Sequence, residues 1–213
     1  MSGKQRHDNE HNDPNAPASL RENSDDWELV RLCRNDKERY FPFLMKRHHA
    51  LVVNMGYRFF SDRGLAEDMA QEVFLTVYRE IDRLQPGKQP FVHWLCRITS
   101  NSCRSLYRKR SSEKKAISSG RVNYWFKDDA AVSGERLDDE TKAAVNYVND
   151  ALQLIRPDER IALILSHVAE CSTAQIASML RTPEYTVRRL LRRAEEKMRK
   201  LISQRTLEQH ARP

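Results

Sequence analysis

The chain has 213 residues, which is enough for one ordinary domain or two small ones. Charged residues make up 31% and hydrophobic residues 39%, and no apolar stretch approaches the roughly 18 residues of a membrane-spanning helix. Lysine and arginine outnumber aspartate and glutamate by 37 to 30, and this net charge of +7 weakly favours a polyanionic partner. Because the N-terminus is polar rather than a secretory signal, we expect a soluble, helix-rich, cytoplasmic protein without membrane insertion.

The N-terminal quarter of the chain predicts a tail followed by two helices. Residues 1–24 contain almost no large apolar side chain, and their prolines, asparagines and aspartates predict disorder. Order is expected to begin near Asp25, which has the spacing of a helix capping box with Glu28. A short helix follows, and a second helix with an apolar stripe begins near Asp36 and ends at SDRG (61–64).

Two further helices are predicted at about 65–83 and 91–109, each with one apolar face. The loop PGKQP (86–90) separates them, because two prolines and a glycine do not fit inside a helix. Residues 110–136 lose the helical period and predict a linker. Within it, Tyr124-Trp125-Phe126 has two interpretations: packing on a domain surface, or anchoring on a partner.

The C-terminal part predicts four more helices, at about 140–154, 157–169, 173–180 and 184–202. Pro157 suits the start of a helix, and Ser172 with Gln175 has capping-box spacing. Thr182 and Pro183 have the pattern of an N-cap followed by a first-turn proline. The fold class is therefore all-α, with two small helical domains joined by a flexible linker. The boundaries are a tail at 1–24, a first domain at 25–110, a linker at 111–139, a second domain at 140–203 and a frayed end at 204–213.

Residues 173–194 have the pattern of a helix-turn-helix, with the turn at Arg181-Thr182. A recognition helix must bury one face and offer the other to the major groove of DNA. The outward positions of the longer helix are Glu184, Tyr185, Arg188, Arg189, Arg192 and Arg193. The alternative is a structural hairpin with a solvated basic face. From 181 to 200 there are eight basic and three acidic residues, and this imbalance favours DNA binding.

The fourth predicted helix carries a row of polar and basic side chains. Arg97, Asn101, Arg104 and Arg108 share one face, and His93 extends it toward the loop. Phosphate contacts from this row and base stacking on nearby aromatic rings would suit a single strand of nucleic acid. The alternative assigns those aromatic side chains, Phe91 and Trp94, to the core.

The third predicted helix begins with an acidic face. Glu67, Asp68, Gln71 and Glu72 lie close together and suit a basic protein partner, although acids also suit the first turn of any helix. No nucleophile, pocket-forming loop or phosphate-binding loop accompanies them, so we predict no enzymatic activity.

The four cysteines form no CxxC pair, so we predict no metal site and reduced, buried thiols. Cys96 and Cys103 are too far apart along one helix for a disulfide. A sensor role for Cys96, Cys103 or Cys171 is the alternative left open.

Three segments carry a family resemblance: AEDMAQEVFLTVYRE (66–80), FVHWLCRITSNSCRSLYRKR (91–110) and DERIALILSHVAECSTAQIASMLRTPEYTVRRLLRRAEEKMRKLI (158–202). In combination and in this order they closely resemble bacterial RNA polymerase sigma factors. The two-domain layout is similar to that of the extracytoplasmic-function (ECF) group. The resemblance covers roughly 25–110 and 140–202.

The resemblance implies a transcription initiation factor that carries out no reaction and needs no cofactor. The acidic face would bind core RNA polymerase at the beta-prime clamp helices, and the helix-turn-helix domain would sit on the beta flap. The fourth helix and the loop at 85–90 would open the minus-ten promoter element and hold a flipped base. The residues implied for this element are Lys88, His93, Arg97, Asn101, Arg104 and Arg108.

The helix-turn-helix would read the minus-thirty-five element, and the linker, acidic at 128–140, would run toward the RNA exit path. An anti-sigma factor is a further implied partner, and the free protein is expected to be a monomer. Departures from the family pattern include two single positions. Leu65 stands where an acid is common, which would weaken polymerase docking or shift it to Asp62. Cys171 stands where a glycine usually precedes the helix-turn-helix.

Two other classes of function remain open. One is a self-sufficient, dimeric helix-turn-helix regulator, which would leave the acidic face unexplained. The other is a protein-binding adaptor, which would leave the arginine row from Arg97 to Arg108 unexplained.

Overall fold

The computed structural model of the chain describes residues 25–85, 87, 89–117 and 139–210. These residues form eight α-helices and no strand, which confirms the all-α fold class. The first four helices are α1 (Asp26–Asn35), α2 (Lys37–Phe60), α3 (Arg63–Glu80, followed by a 3-10 turn at Ile81–Arg83) and α4 (Phe91–Ile117). The last four are α5 (Asp139–Gln153), α6 (Pro157–His167), α7 (Thr173–Leu180) and α8 (Glu184–His210). Among the described residues, no helix has the length and apolar character needed to cross a membrane.

Aspartates fix where the first three helices begin. Asp25 caps α1 by accepting a hydrogen bond from the Trp27 amide at 3.1 Å, one residue earlier than the capping-box geometry would place it. Asp36 caps α2 and Asp62 caps α3, each by accepting from the amide three residues on. The break between α2 and α3 is therefore only Ser61 and Asp62, and the rest of SDRG already belongs to α3.

Helices α1 to α4 enclose an apolar core in which α2 and α3 approach closely at Gly56. A Cβ atom at this position would lie 2.7 Å from Met69 Cε and 3.2 Å from Ala66 Cβ, so any larger side chain would push the helices apart. The largest fully buried side chains of this half are Leu29, Leu44, Met55, Phe59, Met69, Ile81, Phe91 and Leu95.

Helices α6 to α8 build the helix-turn-helix that the sequence predicts. Ser172 and Gln175 form the predicted capping box, and Arg181 adopts a left-handed conformation (φ 51°) in the turn. The left-handed position before α7 is Glu170 rather than Cys171, so the missing glycine causes no strain at Cys171 itself. The Thr182 hydroxyl donates to the Leu180 carbonyl instead of capping, and α8 begins at Glu184.

Two boundaries from the sequence are wrong. Helix α4 continues to Ile117, so 111–117 is helical where a linker was predicted. This segment has no glycine or proline and is rich in lysine, glutamate and alanine, which favour helix, so the loss of apolar periodicity does not mark the end of the helix. Helix α8 extends to His210, beyond the predicted helix end at about 202. The tail at 1–24 and the aromatic cluster at 124–126 lie outside the described residues.

The two halves pack against each other, and their buried side chains form one continuous core. The C-terminal end of α2 contacts α5 and α6, while α4 contacts α6 and α7. We call this arrangement the closed form. It is not predicted by the sequence, because no periodic pattern reports which surfaces of two separate helical domains meet.

Candidate nucleic-acid interface

The acidic face of α3 is largely solvent-exposed. Asp68, Gln71 and Glu72 are exposed, whereas Glu67 is half-buried and pairs with His49 Nε2 at 3.4 Å. Burial of the apolar side of α3 in the core turns these side chains outward. Three of the four predicted residues therefore form a free acidic surface.

The departure at Leu65 has a structural explanation. The Leu65 side chain is only 8% exposed and belongs to the packed side of α3. Asp62, the other acid considered for this position, accepts a hydrogen bond from the Leu65 amide at 2.9 Å. Its carboxylate is thus used to start the helix, and the free acidic surface begins at Asp68.

The predicted row on α4 is intact but partly covered. Asn101 and Arg108 are exposed, Arg97 is half-buried, and Arg104 is 24% exposed and lies 3.4 Å from Asp158 of α6. The ion pair joins the two halves of the molecule. Part of the basic row is therefore already occupied by the C-terminal half.

A polar cleft of about 590 Å³ collects residues from three predicted surfaces. Glu72 of the acidic face, Arg97 and Asn101 of the α4 row, and Met179 and Arg181 of the helix-turn-helix all line it. In the closed form the α4 row therefore faces the helix-turn-helix across a narrow gap.

A second pocket of about 260 Å³ lies beside the loop before α4. Trp27, His93 and Trp94 contribute to its walls, and the Trp27 indole donates to the Gln89 carbonyl at 3.1 Å, which ties the loop to α1. Ser178 and Met179 of α7 complete the lining. Of the two candidate stacking rings, Phe91 is core (1% exposed) and Trp94 is half-buried.

His93 differs from the arginines of the row. Burial lowers its pKa, so the ring is neutral at neutral pH and contributes no positive charge. Its Nδ1 atom is buried and has no hydrogen-bond partner within the described part of the chain. An unpaired polar atom beside a small pocket suits a ligand with polar edges, such as a nucleobase. Lys88, the remaining predicted residue, lies outside the described residues.

The outward face of α8 is open to solvent. Tyr185 is 71% exposed, and Arg189, Arg192 and Arg193 are also exposed. Glu184 is different, because its Oε1 atom accepts hydrogen bonds from Arg188 at 2.7 Å and from Thr173 at 2.9 Å. These hydrogen bonds lower the pKa of Glu184 and tie the start of α8 to α7.

Sequence analysis missed an apolar groove of about 710 Å³. It lies between α5, α6 and α8, and its floor includes Val145, Val148, Ile164, Met198 and Ile202. The signal was present as apolar residues at helical spacing in α5 and in the distal part of α8.

Sequence analysis also missed the buried Arg160, which joins the two halves. Its side chain is 4% exposed, and its guanidinium donates to the carbonyls of Phe59, Gln153 and Ile155 and to the Gln153 side chain. Phe59 O belongs to the last turn of α2, where helix carbonyls lack partners within the helix. Burial lowers the pKa of Arg160 to about 10, so it stays protonated at neutral pH. The sequence signal for this buried arginine was its position directly before the apolar run IALIL (161–165).

Two family models match separate regions of the chain. The Sigma-70 region 2 family matches residues 44–113, and the Sigma-70 region 4 family matches residues 146–198. RNA polymerase sigma factor CarQ of Myxococcus xanthus is 30% identical over 175 residues, covering 82% of this chain and 96% of CarQ. The sigma-H factor of Pseudomonas aeruginosa is 30% identical over 184 residues, covering 83% and 93% of the two chains.

Solved structures support the same fold. CnrH in complex with the cytosolic domain of CnrY matches with a TM-score of 0.60 at 20% identity, over 83% of this chain and 96% of that one. RpoE of Bartonella quintana, in complex with the anti-sigma factor NepR, matches with a TM-score of 0.59 at 21% identity, over 76% and 97%.

Proposed function

The chain belongs to the ECF group of RNA polymerase sigma factors. We propose that the acidic face of α3 binds the polymerase, while the basic faces of α4 and α8 read the promoter. It is a transcription initiation factor that binds core RNA polymerase and directs it to promoters. Sigma factors regulate the polymerase and are not enzymes. We assign all reaction chemistry here to the polymerase.

We assign polymerase docking to Asp68, Gln71 and Glu72 of α3. The observation that carries this assignment is their joint exposure on one helix face while the opposite face is buried in the core. A compact group of carboxylates favours a basic protein surface and repels the DNA that the rest of this basic protein attracts. The clamp helices of the beta-prime subunit are the surface implied by the family.

The α4 row and the pocket beside it suit single-stranded minus-ten DNA. Arg97, Arg104 and Arg108 supply positive charge for the backbone, and the pocket of about 260 Å³ supplies aromatic walls and the unpaired His93 Nδ1 for a flipped base. Opening a duplex costs unstacking energy, and binding of the released base repays part of that cost.

The exposed face of α8 suits the minus-thirty-five duplex. Tyr185, Arg189 and Arg193 project from the N-terminal half of the helix, the part that enters the major groove in helix-turn-helix proteins. Glu184 and Arg188 bind each other at the start of this helix, so we assign them first to its orientation and only then to base contacts.

The apolar groove of the C-terminal domain is our candidate for the beta flap. Its α8 residues, such as Met198 and Ile202, lie beyond the DNA-facing positions of the same helix, so the two partners need not compete. Relatives of known structure were solved with CnrY and with the anti-sigma factor NepR, and we propose an anti-sigma factor for this chain as well.

The test is a reconstituted run-off transcription assay with core polymerase and a genomic promoter library. The wild-type protein should give discrete transcripts, and Asp68→Arg/Glu72→Arg should abolish both transcription and polymerase pull-down. The matched control is Glu28→Arg/Asp150→Arg, which changes the charge equally at exposed positions of α1 and α5 and should behave as the wild type.

Other outcomes identify the rival functions. Tight, sequence-specific binding of the isolated dimeric chain to a palindrome, without polymerase pull-down, would favour the self-sufficient regulator. Full transcription by Arg97→Glu/Arg104→Glu would contradict a DNA-reading role for the α4 row and favour the adaptor. Loss of transcription with retained pull-down is the result we expect from that variant.

A further inference from the structure

Trp27 of α1 lies against the junction between the loop at 85–90 and α4. Its indole Nε1 donates a hydrogen bond to the Gln89 carbonyl at 3.1 Å, across 62 positions of the sequence. Its ring meets the Phe91 ring edge to face, with the centroids 6.1 Å apart. The side chain also forms part of the wall of the pocket of about 260 Å³, which we call the base pocket. One residue of the first helix therefore joins the loop, the start of α4 and the pocket.

The backbone that carries Trp27 is fixed by its two preceding residues. Asp25 caps α1 by accepting a hydrogen bond from the Trp27 amide at 3.1 Å. Asp26 accepts a hydrogen bond from Arg47 Nη1 at 3.0 Å, and its other carboxylate oxygen lies 3.1 Å from His48 Nε2. Both of these partners belong to α2, so Asp26 joins the start of α1 to a second helix. The indole is therefore presented from a fixed helix start.

The loop before α4 has a sequence that gains from support by another element. Pro86 and Pro90 have no N–H group for a backbone hydrogen bond, and Gly87 increases the conformational freedom of the chain. The Trp27 indole holds the Gln89 carbonyl directly before Pro90, whose own carbonyl accepts a hydrogen bond from the His93 amide at 3.1 Å. His93 also lines the base pocket. The position of the loop end is thus coupled to the position of a pocket residue.

The other apolar residues of α1 already anchor this helix in the core. Leu29, Val30 and Cys33 are fully buried, whereas Trp27 is half-buried and packs at the edge of the core. A tryptophan in such a place combines apolar contact with one directed N–H donor. Trp27 therefore suits support of the loop, in addition to the packing of α1.

We propose that Trp27 is a positioning residue for the base pocket: its indole N–H holds the Gln89 carbonyl, so that the loop and His93 keep the geometry that receives a flipped base. This inference rests on the proposed function, which assigns the pocket to the minus-ten element. Trp27, the loop and α4 all belong to the N-terminal half, so this part of the wall remains when the closed form opens. Ser178 and Met179 of α7 would then leave it. Helix α1, which carries none of the surfaces predicted from the sequence, thereby contributes to promoter recognition.

The first step of the test locates the flipped base. The reconstituted holoenzyme is bound to fork-junction DNA that carries the minus-ten element of a promoter found in the run-off assay. Each base of the unpaired strand is replaced in turn by an abasic site, and the largest loss of affinity marks the base that enters the pocket. If no position matters more than its neighbours, the pocket takes no base. That result would overturn the proposed function of the pocket, and the role of Trp27 with it.

The second step combines the abasic site with Trp27→Phe, which keeps an aromatic ring against Phe91 but removes the N–H group. We expect this variant to bind the intact DNA about fivefold more weakly, the loss typical of one hydrogen bond. It should bind the abasic DNA as well as the wild type does, because both changes act on the same base contact. Polymerase pull-down should be unchanged. Equal losses on the intact and the abasic DNA would show a general structural role and overturn the proposal, while the base pocket would stand.

The matched control is Tyr78→Phe. It removes one O–H group, which donates to Glu38 Oε1 at 3.3 Å and joins α3 to α2, and it keeps the aromatic ring. Tyr78 does not line the base pocket, so this variant should bind both DNAs as the wild type does. Should Trp27→Phe fold poorly, Trp27→Tyr repeats the measurement with a different ring. Wild-type affinity of the Trp27 variant for the intact DNA would also overturn the proposal.

Discussion

The two helices proposed to face DNA, α4 and α8, carry similar side chains but differ in what lies against them. On α8, Tyr185 and the arginines after it project into solvent. On α4, Arg104 pairs with Asp158 and Arg97 lines a cleft closed on its other side by α7. The surface proposed for the minus-thirty-five element is therefore available in the closed form, while the surface proposed for the minus-ten element is partly covered by the other domain.

If the α4 row reads promoter DNA as proposed, the protein has to change shape to expose it. A cleft of about 590 Å³ is far too small for a duplex, and Ser178 and Met179 narrow the entrance to the base pocket. Polymerase can favour an open form only if it binds that form more tightly than the closed one. The contacts that hold the two halves together then determine how much of the free energy of polymerase binding is needed to separate the halves.

The largest expected effect is at Arg160, which anchors the C-terminal half on α2. Arg160→Ala should lower the free energy of unfolding by about 3 kcal/mol, because it leaves buried carbonyls such as Phe59 O without a donor. It should also increase the radius of gyration measured by small-angle X-ray scattering. Arg156→Ala, at an exposed position before α6, is the control and should change neither quantity. An unchanged radius of gyration for Arg160→Ala would show that other contacts close the molecule.

On the open surface, Arg189→Ala should weaken binding of the reconstituted holoenzyme to minus-thirty-five duplex DNA about tenfold, which is typical for loss of one direct DNA contact. The same measurement with Lys200→Ala, exposed about three turns further along α8, should show a smaller loss. Equal losses would indicate that α8 binds only through its total charge.

Acid should destabilise the N-terminal half through Asp26 of α1. Burial raises the pKa of this carboxyl, but hydrogen bonds and charge from His48 and Arg47 lower it more, so the net pKa is below its usual 3.8. A depressed pKa means that the contribution to stability is present above about pH 4 and is lost as the pH falls through the folded-state value. Asp26→Asn should cost about 1 kcal/mol at neutral pH and flatten the acid limb of the unfolding curve. An acid limb identical to that of the wild type would contradict this assignment.

The smallest expected effect is at the ion pair that covers Arg104. Asp158→Asn should raise the affinity of the free protein for a single-stranded minus-ten oligonucleotide about two- to threefold, since exposed ion pairs contribute little. Asp150→Asn removes one exposed acid of α5 and controls for the change in net charge. Equal gains from both variants would mean that net charge, and not release of Arg104, explains the change.

Helical periodicity in the sequence predicted every helix of the described ranges, and capping residues such as Ser172 marked where some of them begin. The predicted end of α4 was wrong because it, too, was based on apolar periodicity. Apolar periodicity stops before the end of α4, so the segment 111–117 was assigned to a linker although its residues favour helix. Local patterns predicted the faces of α3, α4 and α8, and the sites on them remain proposals.

The sequence by itself determined the helices, the charge on each helix face and membership of the sigma factor family. The helices and their charged faces depend on residues three, four or seven positions apart, and family membership depends on whole motifs in a fixed order. Only the tertiary structure decided that Arg160 closes onto the end of α2 and that α7 covers part of the α4 row. Such contacts join residues far apart in the chain, and they depend on the shapes of two folded surfaces rather than on any local pattern.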